Sequence, residues 1–338
     1  MKRLLKHNEA LLFLLFVAAV LLFSLVNPQI LTLANFYSLI RSSAIPAIFA
    51  LSIMLVMCCG GFDMSFGMIG AFSSYVVMFY LTENGKLDTP VLFIFLAAVC
   101  IAVLLQLFNW VLIDKLNLQP FITTLGTQSL LKGLLLAFIS TSYIYVLPHQ
   151  VTKLGMTYLH TATYADGIEA QLHVVVVFMA VMYAAMHLIL QYTNFGRQVY
   201  AIGGDVDAAR RAGINVSQVR FLVFVIAGVI CGVGGVMHDA AARCSLPIPA
   251  DLVGKELNSI AAVVLGMGSQ KKARGSVLGT LLGVFLLQFI TGNLIMLGVP
   301  SYFQQAVSGL FIFIGLIVQM AGSGRKPRRK GGANHEGA

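Results

Sequence analysis

The sequence predicts an all-α polytopic membrane protein of about ten transmembrane helices, with both termini cytoplasmic and a short cytoplasmic helix between two spans. Three observations carry this. The chain is 58% hydrophobic and only 10% charged, where soluble domains run at about half and about a quarter. Its apolar residues come in continuous runs, not in the alternation of barrel strands, so each run satisfies its own backbone groups only as a helix. Its basic residues also segregate. With the N-terminus inside, sixteen of the 22 Lys and Arg fall on the inner side and five on the outer, with Lys132 inside a span, as the positive-inside rule expects.

A hydrocarbon core of about 30 Å takes about 20 helical residues. Ten segments are expected, near 9–27, 43–60, 64–82, 90–113, 119–140, 171–192, 217–238, 257–269, 275–298 and 302–321. The first has the charge layout of a signal peptide, but its apolar stretch is too long and lacks a small-residue cleavage site. It is therefore expected to stay as a span. The eighth, "LNSIAAVVLGMG", is too short for a straight crossing. A hairpin turning back inside the membrane would bury Lys271, Lys272 and Arg274 at about 2.5–3.5 kcal/mol each. A crossing with an irregular outer end near "PIPADLVGKE" is expected instead, of the kind that lines a solute path. Residues 1–321 then make one membrane domain, and 322–338 a basic cytoplasmic tail expected to be disordered.

The net charge of +9 belongs to this orientation signal and not to nucleic acid. Of the five cysteines (Cys58, Cys59, Cys100, Cys231 and Cys244), four lie in apolar runs as small buried residues. Their spacing suits no metal, and a redox role for the Cys58-Cys59 pair is the minor alternative.

Two loops exceed what connectivity needs. The outer one, 141–170, is polar and aromatic and offers a docking surface. The inner one, 196–216, reads "GRQVYAIGGDVDAARRAGINV". Within it "DVDAARRA" has an acidic start, alanines and a basic end; Asp205 fits an N-cap, and the charges complement the helix dipole. Two turns of helix are not stable alone. The segment either lies on its own domain as a capped linker or fits a socket on a cytoplasmic partner.

The stretch "NFGRQVYAIGGDVDAARRAGINV" resembles the coupling-helix region of permease subunits from ribose-type ABC monosaccharide importers. "GGFDMSFGMIGAF", "LQPFITTLGTQSLLKG", "ELNSIAAVVLGMGSQKKARGSVLGTLLGV" and "NLIMLGVPSYFQQAVSGLFI" resemble four further stretches of that family in order, covering about residues 45–320. The resemblance implies a permease of the bacterial inner membrane that pairs with a second copy or a close paralogue. A periplasmic or lipid-anchored sugar-binding protein would feed it and ABC ATPase subunits would dock inside. It would bind no cofactor itself, ATP and Mg being used by the ATPase, and the chain has no G-x-x-x-x-G-K-[ST] phosphate loop. The match places Gly204, Asp205, Ala208, Ala209, Arg210, Gly213 and Ile214 in the coupling contact, with the two alanines allowing close approach. One departure stands out. The family's glycine-rich turn after the eighth segment is here "GMGSQKKARG", with glycines lost and two lysines gained.

Several polar residues lie within the spans. An intramembrane acid marks a solute or ion site by default, yet Asp63 at a Gly60-Gly61 turn also suits a cap on the next helix. Lys132 needs a partner, a watery path or an escape to the interface. Sugars present hydroxyls around apolar ring faces, which makes Phe121, Thr123, Thr124, Gln128, Glu256, Asn293, Tyr302, Phe303, Gln304 and Gln305 candidates for the translocation path. Each alone is better explained by helix packing. The competing function is a proton-coupled secondary sugar carrier using Asp63 or Lys132, which has no evident need for the 196–216 segment.

Overall fold

In the computed structural model, residues 8–296 are described except for 165–166, 168 and 268–274, together with scattered positions from 298 to 313. The chain begins with α1 (Asn8–Val26) and a short 3-10 turn, then α2 (Leu33–Cys58). α2 starts ten residues before the expected second span. Thr32 supplies the reason: its hydroxyl accepts the Asn35 amide at 3.3 Å and caps the helix. α3 (Phe66–Glu83) and α4 (Val91–Trp110) follow, and α4 continues as a π-helical turn to Lys115. α5 (Pro120–Leu134) opens with proline at its first position, which needs no amide there, and also ends in a π-helical turn, to Ile139.

Seven helices among the described residues are long and apolar enough to cross a membrane. The expected third span is α3, which Ser73, Ser74, Thr82 and Glu83 make too polar to count among them. The eighth is α11 (Glu256–Met267), twelve residues or about 18 Å of helix. The tenth falls mostly outside the described residues, as do the 322–338 tail and most of the "GMGSQKKARG" turn.

The all-α expectation needs one correction. The 141–170 loop is built around α6 (His149–Gly155) and leads into an antiparallel hairpin of β1 (Tyr158–Thr163) and β2 (Glu169–His173). Thr161 pairs with Gln171 and Ala162 with Ala170. Ala162 and Ala170 pack on Ala34, and the Tyr37 hydroxyl meets His160 Nδ1 at 3.2 Å. A two-stranded hairpin is marginal alone. Here it rests on the first turn of α2.

The remaining elements are α7 (Val175–Tyr192), α8 (Asn194–Gly204), α9 (Val206–Arg211), α10 (Val216–Ala242) and, beyond α11, α12 (Val277–Met296). α2 is the central helix, with Ala47 through Val56 almost wholly buried. α10 crosses α4 on the small face of Gly228 and Gly232. A Cβ at either glycine would stand 2.6 Å from the Cα of Val103 or Val99. Lipid offers no hydrophobic drive between helices, so such close approach is how their association is secured.

Candidate functional site: coupling segment and polar seam

The 196–216 segment folds as two short helices. Thr193 caps α8 by accepting the Gly196 amide at 3.2 Å. Asp205 caps α9 as its residue type predicts, accepting the Asp207 and Ala208 amides at 2.9 Å each. The bond from Ala208, then that from Asp207 and the charge of Arg211, hold the Asp205 carboxyl below its ordinary range. Gly213 turns the chain with φ +83, and Asn215 caps α10 through the Gln218 amide at 3.1 Å.

The two helices are seated firmly. α8 runs so close under the end of α2 that a Cβ on Gly203 would stand 2.0 Å from the Cys58 carbonyl oxygen. The Tyr200 hydroxyl donates to the Gly275 carbonyl at 2.8 Å. On and around α9, Gly204, Asp205, Ala208, Arg210 and Gly213 are exposed and Ile214 is half-buried. Ala209 is the exception, at 4% exposure. It was expected beside Ala208 in the contact with a partner, but it points into its own domain. One turn of helix cannot turn adjacent residues to the same side, so Ala209 anchors the helix and Ala208 lies on the free face.

The second polar feature lies inside the bundle. The residues between α2 and α3 are not helical, and Asp63 within them is fully buried. One Asp63 oxygen accepts the Ser65 amide at 2.7 Å and hydroxyl at 2.6 Å; the other accepts Gln106 Nε2 at 2.7 Å. Asn109 Nδ2 donates to the Ser65 hydroxyl at 2.8 Å, and the Thr127 hydroxyl to Asn109 Oδ1 at 2.7 Å. The Met64 amide donates to the Thr124 hydroxyl at 3.0 Å. Gln106 lies nine residues before Lys115, about 14 Å along α4, so Asp63 meets α4 away from the end of that helix.

A second break separates α10 from α11. Glu256, 5% exposed, accepts the Gly254 amide at 2.9 Å on both oxygens and takes a further bond from Gln128 Nε2. Thr124, Thr127 and Gln128 thus tie α5 to both breaks. Irregular backbone at membrane depth is tolerated only where protein or water satisfies it, and these side chains do so.

The expected path residues Thr124, Gln128 and Glu256 therefore meet at this seam. Phe121 is 43% exposed and packs on Phe62 with ring centroids 5.5 Å apart. Thr123 donates to the Gln119 carbonyl at 2.8 Å, within its own helix. Asn293 lies apart on α12, donating to the Phe289 carbonyl at 2.8 Å. Phe303 is 49% exposed, while Tyr302, Gln304 and Gln305 fall outside the described residues. Lys132 is exposed on α5, and its side chain makes no ion pair among the described residues. Sequence reading did not single out Gln106 or Asn109, although two amides three apart in the apolar run of α4 were the available signal.

A family model described as branched-chain amino acid transport system / permease component matches residues 35–316. The ribose import permease protein RbsC of Bacillus subtilis (strain 168) is 33% identical over 299 residues, covering 88% of each chain. RbsC of Escherichia coli (strain K12) is 29% identical over 94% of each chain. The galactose/methyl galactoside import permease protein MglC of Haemophilus influenzae is 27% identical over 93% of this chain and 94% of its own. With most of its length inside the family model, the chain belongs to this permease family, as a multi-pass membrane component of bacterial ABC importers that is not itself the ATPase.

Proposed function

We propose that this permease translocates a monosaccharide delivered by a periplasmic or lipid-anchored binding protein, driven by ABC ATPase subunits that dock on α8–α9. The observation that carries the reading is the geometry of that module. It is capped at each helix, anchored inward through Gly203 and Ala209, and presents Asp205, Ala208 and Arg210 outward. A capped linker would be seated in the same way; the docking reading is supported by the outer face of α9, left exposed at Asp207, Ala208, Arg210 and Arg211, and by the ABC importer family to which the chain belongs. The sugar assignment is supported by relatives named for ribose and galactose import, although the family's description also embraces amino-acid permeases.

In this reading the module end of the bundle, with both termini, faces the cytoplasm, and the hairpin end receives the binding protein. The solute passes along the exposed face of α5. Lys132 on that face would cost about 2.5–3.5 kcal/mol against lipid, so the face opens on a watery path between this chain and a second copy or close paralogue. Phe121, Thr124, Gln128 and Glu256 border that path from this chain's side. ATP and Mg are held by the ATPase.

Proteoliposomes containing the permease pair, ATPase subunits and binding protein test this with labelled ribose and galactose. Uptake is expected with ATP and Mg supplied on the ATPase side and is expected to survive a protonophore. Uptake that collapses with the proton gradient while ATP is maintained would replace this reading with the secondary carrier.

A further inference from the structure

Between the coupling module and α5 stands one rigid pair of helices. α11 and α12 run antiparallel with their backbones in direct contact. A Cβ on Gly279 would stand 2.3 Å from the Gly266 carbonyl oxygen, and one on Gly283 would stand 2.2 Å from that of Ala262. No side chain lies between the helices at these points to yield, so the pair moves as a unit.

Each end of this pair is tied by a polar residue to the element it would connect, and at the lower end Ser276 also bonds Glu9 of α1. At the lower end Tyr200 of α8 donates to the Gly275 carbonyl, two residues before α12 begins, at 2.8 Å. Gly275 is itself wedged against α2, since a Cβ there would stand 2.3 Å from Cys58 Sγ. At the upper end Glu256, the first residue of α11, takes the bond from Gln128 of α5 and fixes the Gly254 turn, whose φ is +98.

We infer that Tyr200 and Glu256 are positioning residues at the two ends of a lever, α11–α12, which carries displacement of the coupling module to the path-lining helix α5. The inference rests on the importer reading above and specifies how its two sites communicate. The π-helical turns flanking α5, at Val111–Lys115 and Leu135–Ile139, are where such a helix adjusts its register. Packed helices and hydrogen bonds with two discrete arrangements can carry coupling between separate sites, and the Tyr200 and Gln128–Glu256 bonds are the discrete joints of this lever.

The test is the number of solute molecules moved per ATP hydrolysed by the full reconstituted complex. Tyr200→Phe removes one hydroxyl and keeps the ring. It is expected to lower this ratio by about threefold to tenfold, the scale of one hydrogen bond, with an unchanged thermal unfolding midpoint. Gln128→Leu, which removes the donor to Glu256, is expected to lower the ratio similarly, and Glu256→Leu cuts the same bond from its other side should Gln128→Leu not accumulate. Cutting one lever twice adds little, so the double variant should match the worse single variant. An unchanged ratio in Tyr200→Phe, a multiplicative double variant, or a midpoint falling in step with the ratio would each overturn the lever. A wild-type complex without ATP-driven uptake would overturn the importer reading together with it.

Discussion

Gly203→Val is expected to abolish solute-stimulated ATP hydrolysis and ATP-driven uptake while the membrane domain still accumulates. Even a methyl group at this position would stand 2.0 Å from the Cys58 carbonyl oxygen, a backbone atom that cannot rotate away. Overpacking of this kind costs about 1–3 kcal/mol where side chains share the strain. Here the relief must come from α8 lifting off α2, which also moves Tyr200 away from Gly275. The hydrolysis assay reads the effect directly, and uptake at the wild-type rate would show that the seat of the module is not needed for coupling.

Asp63→Ala is expected to have the largest effect on folding. Three buried donors, the Ser65 amide, the Ser65 hydroxyl and Gln106 Nε2, lose their acceptor. Each such loss costs about 1–3 kcal/mol, so the sum is on the order of 4 kcal/mol or more, a large part of ordinary stability. Asp63→Asn should be far milder. Its carbonyl can still serve Ser65, and Gln106 can turn its amide to offer the Oε1 that has no partner among the described residues to the new NH2. Thermal unfolding in detergent separates the two variants. The same pair tests the proton-coupled alternative, since a carboxyl that carried the coupled proton could not be replaced by an amide. Transport by Asp63→Asn at near the wild-type rate is the expected result.

Seven of the ten expected spans are long apolar helices among the described residues, legible because lipid demands long apolar runs, a signal carried by each segment alone. Asp205 was legible for the same reason, since a cap is local chemistry of four residues. What failed to show was tertiary. Ala208 and Ala209 are indistinguishable until the helix is placed on its domain. Gln106 and Asn109 become a network only when α4 meets residues 43 and 44 positions earlier in the chain. The early start of α2 hung on one threonine hydroxyl, and the hairpin on a weak alternation in "YLHTAT" that needs Ala34 beneath it. Thr124, Gln128 and Glu256 were each chosen for side-chain chemistry alone. Their meeting at one seam followed from α5 packing across both the Gly60-Gly61 turn and the break before α11, two features that were each expected alone.

If α8–α9 receives the ATPase, Ala208→Asp should break that contact. Ala208 is exposed on the free face of α9, so the substitution leaves the domain's own packing intact and places an unpaired charge in the contact. The measurement is ATP hydrolysis by the reconstituted complex with and without binding protein and solute. Assembly is expected to weaken by about tenfold or more, the scale of burying one unpaired charge at an interface, and solute stimulation is expected to disappear. Undiminished stimulation in Ala208→Asp, or solute uptake by the permease with no ATPase bound, would contradict docking of the ATPase on α8–α9.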